Sequence, residues 1–306
     1  MKQFNFLVTG CSGLVGSRLT AGLCNSGKSV FGIRGARPCL ISHSLHECVQ
    51  IDLLKEDLSE VFEFIKAQTL IHSAWEMTPD SYLTNPINFK WHEISVDLIT
   101  RFIDSGGGKV VVTGTCAEYA WSQKMPLVEN SVELPTTAYG ESKLKLLRSI
   151  QQQNIPYLWT RTFFQFGFDR NRNKLIPSVI DSAYSGSDLI LSNPGDVRDF
   201  IYAEDLVKCL ILLLNKDSQG VVNLGSGNGY RVDEVVTLIA EITGRTIRVS
   251  YKELSESSSF VVADIGTLRN LIGNDVEFSL KIALEKVIHE KSLTRGFPKL
   301  IGESNG

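Results

Sequence analysis

The sequence predicts an α/β protein in which a doubly wound parallel sheet carries a smaller C-terminal α/β lobe. Three observations carry this. Short β-rich runs recur at residues 4–8, 29–33, 70–72, 109–113 and 157–162, each followed by a helix-compatible or loop segment, and that alternation builds parallel strands joined by crossovers. Several runs are apolar on both faces, as strands are when helices cover a sheet on each side. The 306 residues are about twice a typical domain, room for one large unit and an appended lobe.

The first strand runs into Thr9-Gly10-Cys11-Ser12-Gly13-Leu14-Val15-Gly16, and residues 17–24 then read as a helix. Gly10 suits a turn that a β-carbon forbids, Gly13 lets backbone approach a pyrophosphate, and Gly16 allows close helix–strand packing. The helix N-terminus adds unpaired N–H donors. Strand, glycine turn and helix in this order predict a Rossmann-type dinucleotide site held by Gly10, Ser12, Gly13, Leu14, Val15 and Gly16. The second strand ends Val30-Phe31-Gly32-Ile33-Arg34 without the carboxylate that would hold ribose hydroxyls. Arg34, with Arg37 as a second candidate, suits a 2′-phosphate, so NADPH is expected in preference to NADH or NAD.

Asp52 and Leu53 follow the third strand, where Asp52 either accepts the adenine amino group or caps a helix. Residues 53–67 read as an amphipathic helix with Leu54, Leu58, Val61, Phe62 and Ile65 on one face, and residues 91–105 as another, halted by Gly106, Gly107 and Gly108. Pro135, Thr136 and Thr137 suit the start of a third. On it Tyr139 and Lys143 share a face, where the ammonium favours the phenolate and the tyrosine can pass a proton to a substrate oxygen. Thr115, at the carboxyl end of the strand beginning at Lys109, lies where the substrate crevice of such a sheet opens.

After about residue 165 the rhythm breaks into shorter pieces, at 171–174, 185–188, 225–229 and 255–259. The division expected is a nucleotide-binding domain over 1–166 with a returning segment near 198–225, and a smaller lobe from 167–197 and 226–306, with a loosely held tail after Lys291.

Composition narrows the partners. Hydrophobic residues make up 43% and charged residues 21%, a globular balance. A net charge of −3, from 31 basic and 34 acidic residues, offers no positive field for nucleic acid. The six cysteines include no CxxC pair, so reduced thiols are expected. The longest apolar stretch, 209–214, is too short for a bilayer that needs about 20 residues, and the first ten residues lack a secretory pattern. No membrane partner and a cytoplasmic location follow. His43, His46 and Cys48 have no second ligand pair at useful spacing, so no metal is expected.

With Thr115, Tyr139, Lys143 and the glycine turn together, the chain resembles the short-chain dehydrogenase/reductase superfamily, in its extended branch of nucleotide-sugar epimerases, dehydratases and reductases, the NAD-dependent epimerase/dehydratase family. The resemblance covers nearly the whole chain, through Ile71-His72-Ser73-Ala74-Trp75, residues 161–167, residues 197–205 and Asn223-Leu224-Gly225-Ser226-Gly227. It implies that Thr115 orients a carbonyl or hydroxyl, that Tyr139 is the general acid or base, and that Lys143 binds the nicotinamide ribose and tunes Tyr139. It adds Ser73, Ala74, Trp75 and Phe163 to the coenzyme contacts. A nucleotide-diphosphate sugar would meet Thr115, Cys116, Lys174 and Leu175, with Arg198 on the diphosphate. Relatives' second arginine is missing from the late loop, which reads Ser255-Glu256-Ser257-Ser258-Ser259, so Arg198 acts alone or the diphosphate is held differently. A homodimer through the helices at 91–105 and 137–153 is also implied.

Departures from the family pattern select among its chemistries. Dehydratases resemble one another in an acidic pair directly after the catalytic hydroxyl, where this chain has Cys116 and Ala117; Glu118, one place on, is either structural or catalytic. Bifunctional epimerase-reductases share a cysteine where this chain has Ala117. Residues 114–121, with Ala74-Trp75 and residues 82–91, are similar to reductases of nucleotide-linked 4-keto-6-deoxyhexoses. The function expected is therefore NADPH-dependent reduction of such a 4-keto group. The alternatives are an NAD-retaining 4-epimerase and a non-catalytic NADPH-binding regulator, the latter opposed by the complete Thr115, Tyr139 and Lys143 set. Trp75, Tyr82 and Trp91 pack over the sugar or belong to the core.

Overall fold

Strand and helix alternate through the first half of the computed structural model, which describes residues 1–77, 81–122, 124–168, 174–252 and 258–295. In chain order come β1 (Lys2–Thr9), α1 (Leu14–Asn25), β2 (Val30–Arg34), β3 (His46–Gln50), α2 (Ser59–Phe64), β4 (Ile65–His72), α3 (Ile87–Asp104), β5 (Lys109–Thr115), a 3₁₀ turn (Cys116–Glu118), α4 (Ala138–Gln151) and β6 (Tyr157–Thr162). The second half continues with β7 (Phe164–Phe166), α5 (Leu175–Ser185), β8 (Leu189–Leu191), β9 (Val197–Tyr202), α6 (Ala203–Asn215), β10 (Gly220–Leu224), β11 (Gly229–Arg231), α7 (Val232–Thr243), β12 (Val249–Tyr251), β13 (Phe260–Val261), α8 (Gly266–Ile272) and α9 (Leu280–Arg295).

Seven strands form the main sheet in the order β10-β6-β5-β4-β1-β2-β3, every pair parallel. Successive residues of a strand point to opposite faces, yet Leu7 with Val8, Leu70 with Ile71, and Val110 with Val111 are all fully buried. Both faces are therefore covered: Val8, Ile71 and Val111 join one core with side chains of α1 and α6, and Leu7, Leu70 and Val110 join another with side chains of α3 and α4. The chain reverses its strand order between β1 and β4, so the carboxyl ends of these strands flank a crevice.

The smaller lobe holds a sheet in which β9 pairs with β11, β13 and β7, and the pair β12-β8. Its core joins α5, α7 and α9 through Val179, Val235 and Leu284. Phe163 is the junction between lobes: its N–H donates to Leu224 O of β10, after which the chain leaves the main sheet for β7. Among the described residues no helix is long and apolar enough to cross a membrane.

One expected element is corrected. Residues 53–67 do not form one helix; α2 covers only Ser59–Phe64, and Ile65 opens β4. The Asp52 side chain accepts from Leu54 N and holds a separate turn, while β1 pairs with β4 from Lys2↔Ile65 onward, which draws residues 65–67 into the sheet. At the next helix the start moves the other way. Asn85 Oδ1 accepts from Ile87 N, so α3 begins before Trp91.

Candidate active site

Gly10 adopts φ +72°, and a β-carbon there would lie 2.8 Å from Ala74 N, so only glycine lets the turn press on the end of β4. A β-carbon on Gly16 would stand 2.2 Å from Gly10 O. These two glycines close the turn on itself, and Gly13 N donates to Gly10 O at 2.9 Å. Gly13 is the N-cap of α1 and supplies no side-chain cap, which leaves first-turn N–H groups for an anion. Ser12, Leu14 and Val15 line this turn. Ser73 Oγ donates to Thr9 O, tying the β4 end to the β1 end beside it.

Arg34 ends β2, its Nη1 donating to Gln50 Oε1 at 2.8 Å and to Gly35 O; no carboxylate stands at this terminus. The Asp52 carboxylate is engaged on both oxygens, one capping Leu54 and the other paired with Lys55 at 2.9 Å. Leu53 is buried beside it in the α3 core.

Thr115, Tyr139 and Lys143 converge at the carboxyl edge of β5. Thr115 is the last residue of β5 and caps the 3₁₀ turn, its Oγ1 accepting from Ala117 N at 3.2 Å. That contact occupies an acceptor lone pair and leaves the hydroxyl proton free to turn toward the Tyr139 phenol, which Thr115 is near enough to act on. Thr137 caps α4 through Gly140 N, which sets Tyr139 and Lys143 one turn apart on the inner face. Lys143 is 1% exposed; its Nζ donates to Thr113 O at 2.9 Å and sits 3.8 Å above the Trp75 ring.

The electrostatics differ from the sequence expectation. The Lys143 ammonium, 6.0 Å from the Tyr139 ring, does not govern the phenol. Burial, then Tyr82, pushes Tyr139 well up, and the Thr115 hydrogen bond pulls against them. Burial lowers Lys143 to about 7 while the Glu118 charge opposes it. Trp75 explains the separation: it lies over the amine, edge-on to Tyr139 at 6.1 Å and stacked on Trp91 at 5.8 Å, with its Nε1 donating to Asn88. Tyr82 packs edge-on to Tyr139 at 5.5 Å. These aromatics form the wall of the cleft.

On the other side, Cys116 is buried and its thiol is pushed up by burial, with the Arg198 charge near enough to act on it. Arg198 is held by Asp196 at 2.7 Å and Ser259 Oγ at 2.8 Å, and lies over Trp121 and Phe164. Burial lowers its pKa, with Asp196 opposing. Lys174 and Leu175 stand at the start of α5, Lys174 as its N-cap. Residues 171–173 and Ser255, Glu256 and Ser257 of the late loop lie outside the described residues.

Glu118 resolves as a structural group. It is fully buried, accepts from Thr115 N, Trp159 Nε1 and Arg161 Nε, and pairs with Arg161 at 2.7 Å. Two further supports escaped the sequence reading. His72 is buried between Thr9 Oγ1 at 2.8 Å and Ser95 Oγ at 2.9 Å, locking β1, β4 and α3 together behind the cleft. Asp199 gathers Ser226 N, Gly227 N and Ala263 N around one carboxylate. A charged residue inside an apolar strand, such as Arg161 in YLWTRT, was the available signal for the first pair.

Residues 6–225 match the family model described as NAD dependent epimerase/dehydratase family. UDP-glucose 4-epimerase of Corynebacterium glutamicum is 29% identical over 273 residues, covering 79% of this chain and 81% of that protein. GDP-6-deoxy-D-talose 4-dehydrogenase of Aggregatibacter actinomycetemcomitans is 25% identical over 298 residues, 94% and 98% of the two chains. Among solved structures, MoeE5 in complex with UDP-glucose and NAD has a TM-score of 0.82 at 23% identity, covering 95% of this chain and 99% of that one, a likeness of fold.

Proposed function

The chain belongs to the NAD-dependent epimerase/dehydratase family, within the extended short-chain dehydrogenases/reductases, and on that premise we propose that it moves hydride at C4 of a nucleotide-diphosphate hexose as a 4-epimerase that keeps its nicotinamide coenzyme. The observation that carries this is the acid–base pair that Tyr139 and Thr115 form at the carboxyl edge of β5. Tyr139 stands beside Thr115, the places after Thr115 hold Cys116 and Ala117, and Glu118 is consumed by Arg161, Trp159 and Thr115. Elimination of water needs further proton-transfer groups. Oxidation and reduction at one carbon needs one.

The residues fit a dinucleotide. The uncapped α1 N-terminus and a Gly13 whose added β-carbon would meet only Gly10 O leave backbone open to a diphosphate, and Ser73, Ala74, Trp75 and Phe163 border the path toward Tyr139 and Lys143. The coenzyme supplies a hydride acceptor and donor at its nicotinamide ring. Tyr139 takes the proton of the C4 hydroxyl and returns one to the oxygen after the face of C4 has changed. Thr115, its oxygen held by Ala117 N, would turn its hydroxyl proton from the Tyr139 phenol to the same oxygen. Lys143 steadies the ribose and adds positive charge, and Arg198, clamped by Asp196, meets the diphosphate with Lys174 and Leu175 alongside. Relatives named as UDP-glucose 4-epimerases support this reading.

A second reading, NADPH-dependent reduction of a 4-keto-6-deoxy sugar, is favoured by Arg34 at the place where a carboxylate would hold ribose hydroxyls, and by the relative named as a 4-dehydrogenase. One experiment separates them. The protein is incubated with UDP-glucose, and in parallel with a dTDP- or GDP-linked 4-keto-6-deoxyhexose, each with NADH or NADPH; coenzyme fluorescence is followed and products are assigned by NMR. Sugar isomerisation without coenzyme loss supports the epimerase. Stoichiometric coenzyme loss replaces it with the reductase, and binding without either leaves only the regulator.

A further inference from the structure

A cluster of soft donors lies outside this machinery, where the glycine turn meets β2 and β3. Cys11 in the turn, Cys39 in the β2–β3 connection and His46 at the start of β3 place two sulfurs and a ring nitrogen all within 4.8 Å of one another. Cys39 lies near enough to act electrostatically on both Cys11 and Cys48, and Cys48 shares a sheet face with His46 because side chains two apart on a strand point the same way. Cys11, Cys39 and His46 come from three different segments, the turn after β1, the β2–β3 connection and β3, and the thiols are free.

The surroundings are shaped as a socket. Gly32, opposite Cys48 in the β2–β3 register, leaves a notch: a β-carbon there would lie 2.6 Å from Cys11 Sγ and 3.0 Å from His46 Nε2. His46 Nδ1 is 3.4 Å from Ile41 O, which fixes the ring proton on Nδ1 and turns the Nε2 lone pair inward, the arrangement of a metal-ligating histidine. Nε2 is buried with no hydrogen-bond partner, and burial keeps the ring neutral, its ligating form.

We propose that Cys11, Cys39 and His46, with Cys48 as fourth donor, bind a thiophilic divalent cation, Zn²⁺ foremost. Thiolate and imidazole donors select zinc over oxygen-seeking cations. With Zn–S near 2.3 Å and Zn–N near 2.1 Å, tetrahedral donors stand about 3.5–3.8 Å apart, so Cys11, Cys39 and His46 need close by at most about 1 Å, and Cys48, outside that group, swings in to complete the set. Binding releases the thiol protons. Three thiolates and one Zn²⁺ leave a single negative charge, and the Arg34 charge, near enough to act on Cys48, stands beside it. The ion would thereby fix the β2–β3 connection that follows Arg34. This inference is independent of which sugar reaction the cleft performs.

The test is metal binding by the whole chain, purified in reductant and stripped with chelator. Zn²⁺ is titrated against a chromophoric chelator, and Co²⁺ serves as the spectroscopic probe. One equivalent of zinc per chain is expected, with thiolate-to-cobalt charge transfer and tetrahedral d–d bands. Cys39→Ser and His46→Ala, both outside the fully buried core, should each weaken zinc binding by about tenfold or more, and Gly32→Ala, which keeps every donor but fills the notch, should weaken it as well. Zinc binding no tighter than in Cys39→Ser, a weak octahedral cobalt spectrum, or a disulfide within the cluster in reductant-treated protein would each overturn the proposal.

Discussion

Replacing Glu118 with glutamine separates a carboxylate that holds the cleft from one that performs chemistry. Both oxygens are saturated: Oε1 accepts from Thr115 N at 2.8 Å and Oε2 from Arg161 Nε at 2.7 Å, and both lie 3.1 Å from Trp159 Nε1. In Glu118→Gln the amide nitrogen must face one of these donors, and where it faces the guanidinium, 0% exposed, Arg161 is left with Glu133, the Glu129 carbonyl and the Tyr119 ring. Removing one partner of a buried pair costs about 3–5 kcal/mol, and the surviving Glu133 contact places this case near the lower end. At about 2 °C per kcal/mol for a chain of this size, the melting midpoint falls by roughly 6 °C. Because Glu118 also holds Thr115 N, the hydroxyl beside Tyr139 loosens, and kcat drops by about 10- to 100-fold through misplacement. Thermal unfolding followed by circular dichroism reads the first effect, and a pH–rate profile the second. A structural carboxylate shifts the limbs of that profile but removes none. An unchanged midpoint together with loss of a limb would show that Glu118 exchanges protons with substrate, and would refute the reasoning.

Tyr139→Phe should lower kcat by about 10²- to 10⁴-fold with coenzyme affinity nearly intact, read by steady-state kinetics and a fluorescence titration; wild-type turnover would contradict the assigned role. His72 has its pKa lowered by burial from 6.5 to about 3, so the unfolded chain takes up a proton that the folded chain refuses. Stability attached to His72 is therefore full above pH 6.5 and lost as pH falls toward 3, and His72→Asn should flatten the acid limb of the melting midpoint across that window; an unaltered limb counts against it. Gly16→Ala places a β-carbon 2.2 Å from Gly10 O, so it should cost about 1–3 kcal/mol and weaken coenzyme binding, with unchanged affinity by titration as the adverse result.

The main sheet was readable because its strands are buried on both sides, so apolar runs such as residues 4–8 and 109–113 mark them without ambiguity, and the glycine turn and the Tyr139–Lys143 spacing are local patterns. What failed was non-local. Residues 53–67 have a helical period, yet pairing of β1 with β4 at Lys2↔Ile65 outweighs it. The strands β7, β8, β11, β12 and β13 span two or three residues each, too short for any period to register. Glu118 stayed ambiguous because its partner Arg161 lies 43 positions away. Cys11 and Cys39 escaped for the same reason, since spacing around His46 reveals neither.

The relation between Lys143 and Tyr139 shows where spacing stops informing. Two residues one turn apart suggested an ammonium that acidifies a phenol, but the amine reaches the other way, to Thr113 O and the Trp75 face. A buried ammonium with one carbonyl and one ring face is poorly compensated, and burial pushes Lys143 down to about 7. Tyr139, pushed up by burial and Tyr82, keeps its proton throughout that range. The cleft is thus set with one firmly held proton on the phenol and a lysine whose charge is easily changed. That suits Tyr139 to protonate a carbonyl oxygen as the carbon beside it gains hydride, while taking a proton from a hydroxyl first requires the phenol to give up its own. Glu118 favours the lysine charge from a distance, raising Lys143 and Tyr139 together. Its buried pairing with Arg161 therefore serves the geometry of Thr115 and the protonation of Lys143 at once, so Glu118→Gln should lower the charge that Lys143 carries at pH 7 as well as loosen Thr115.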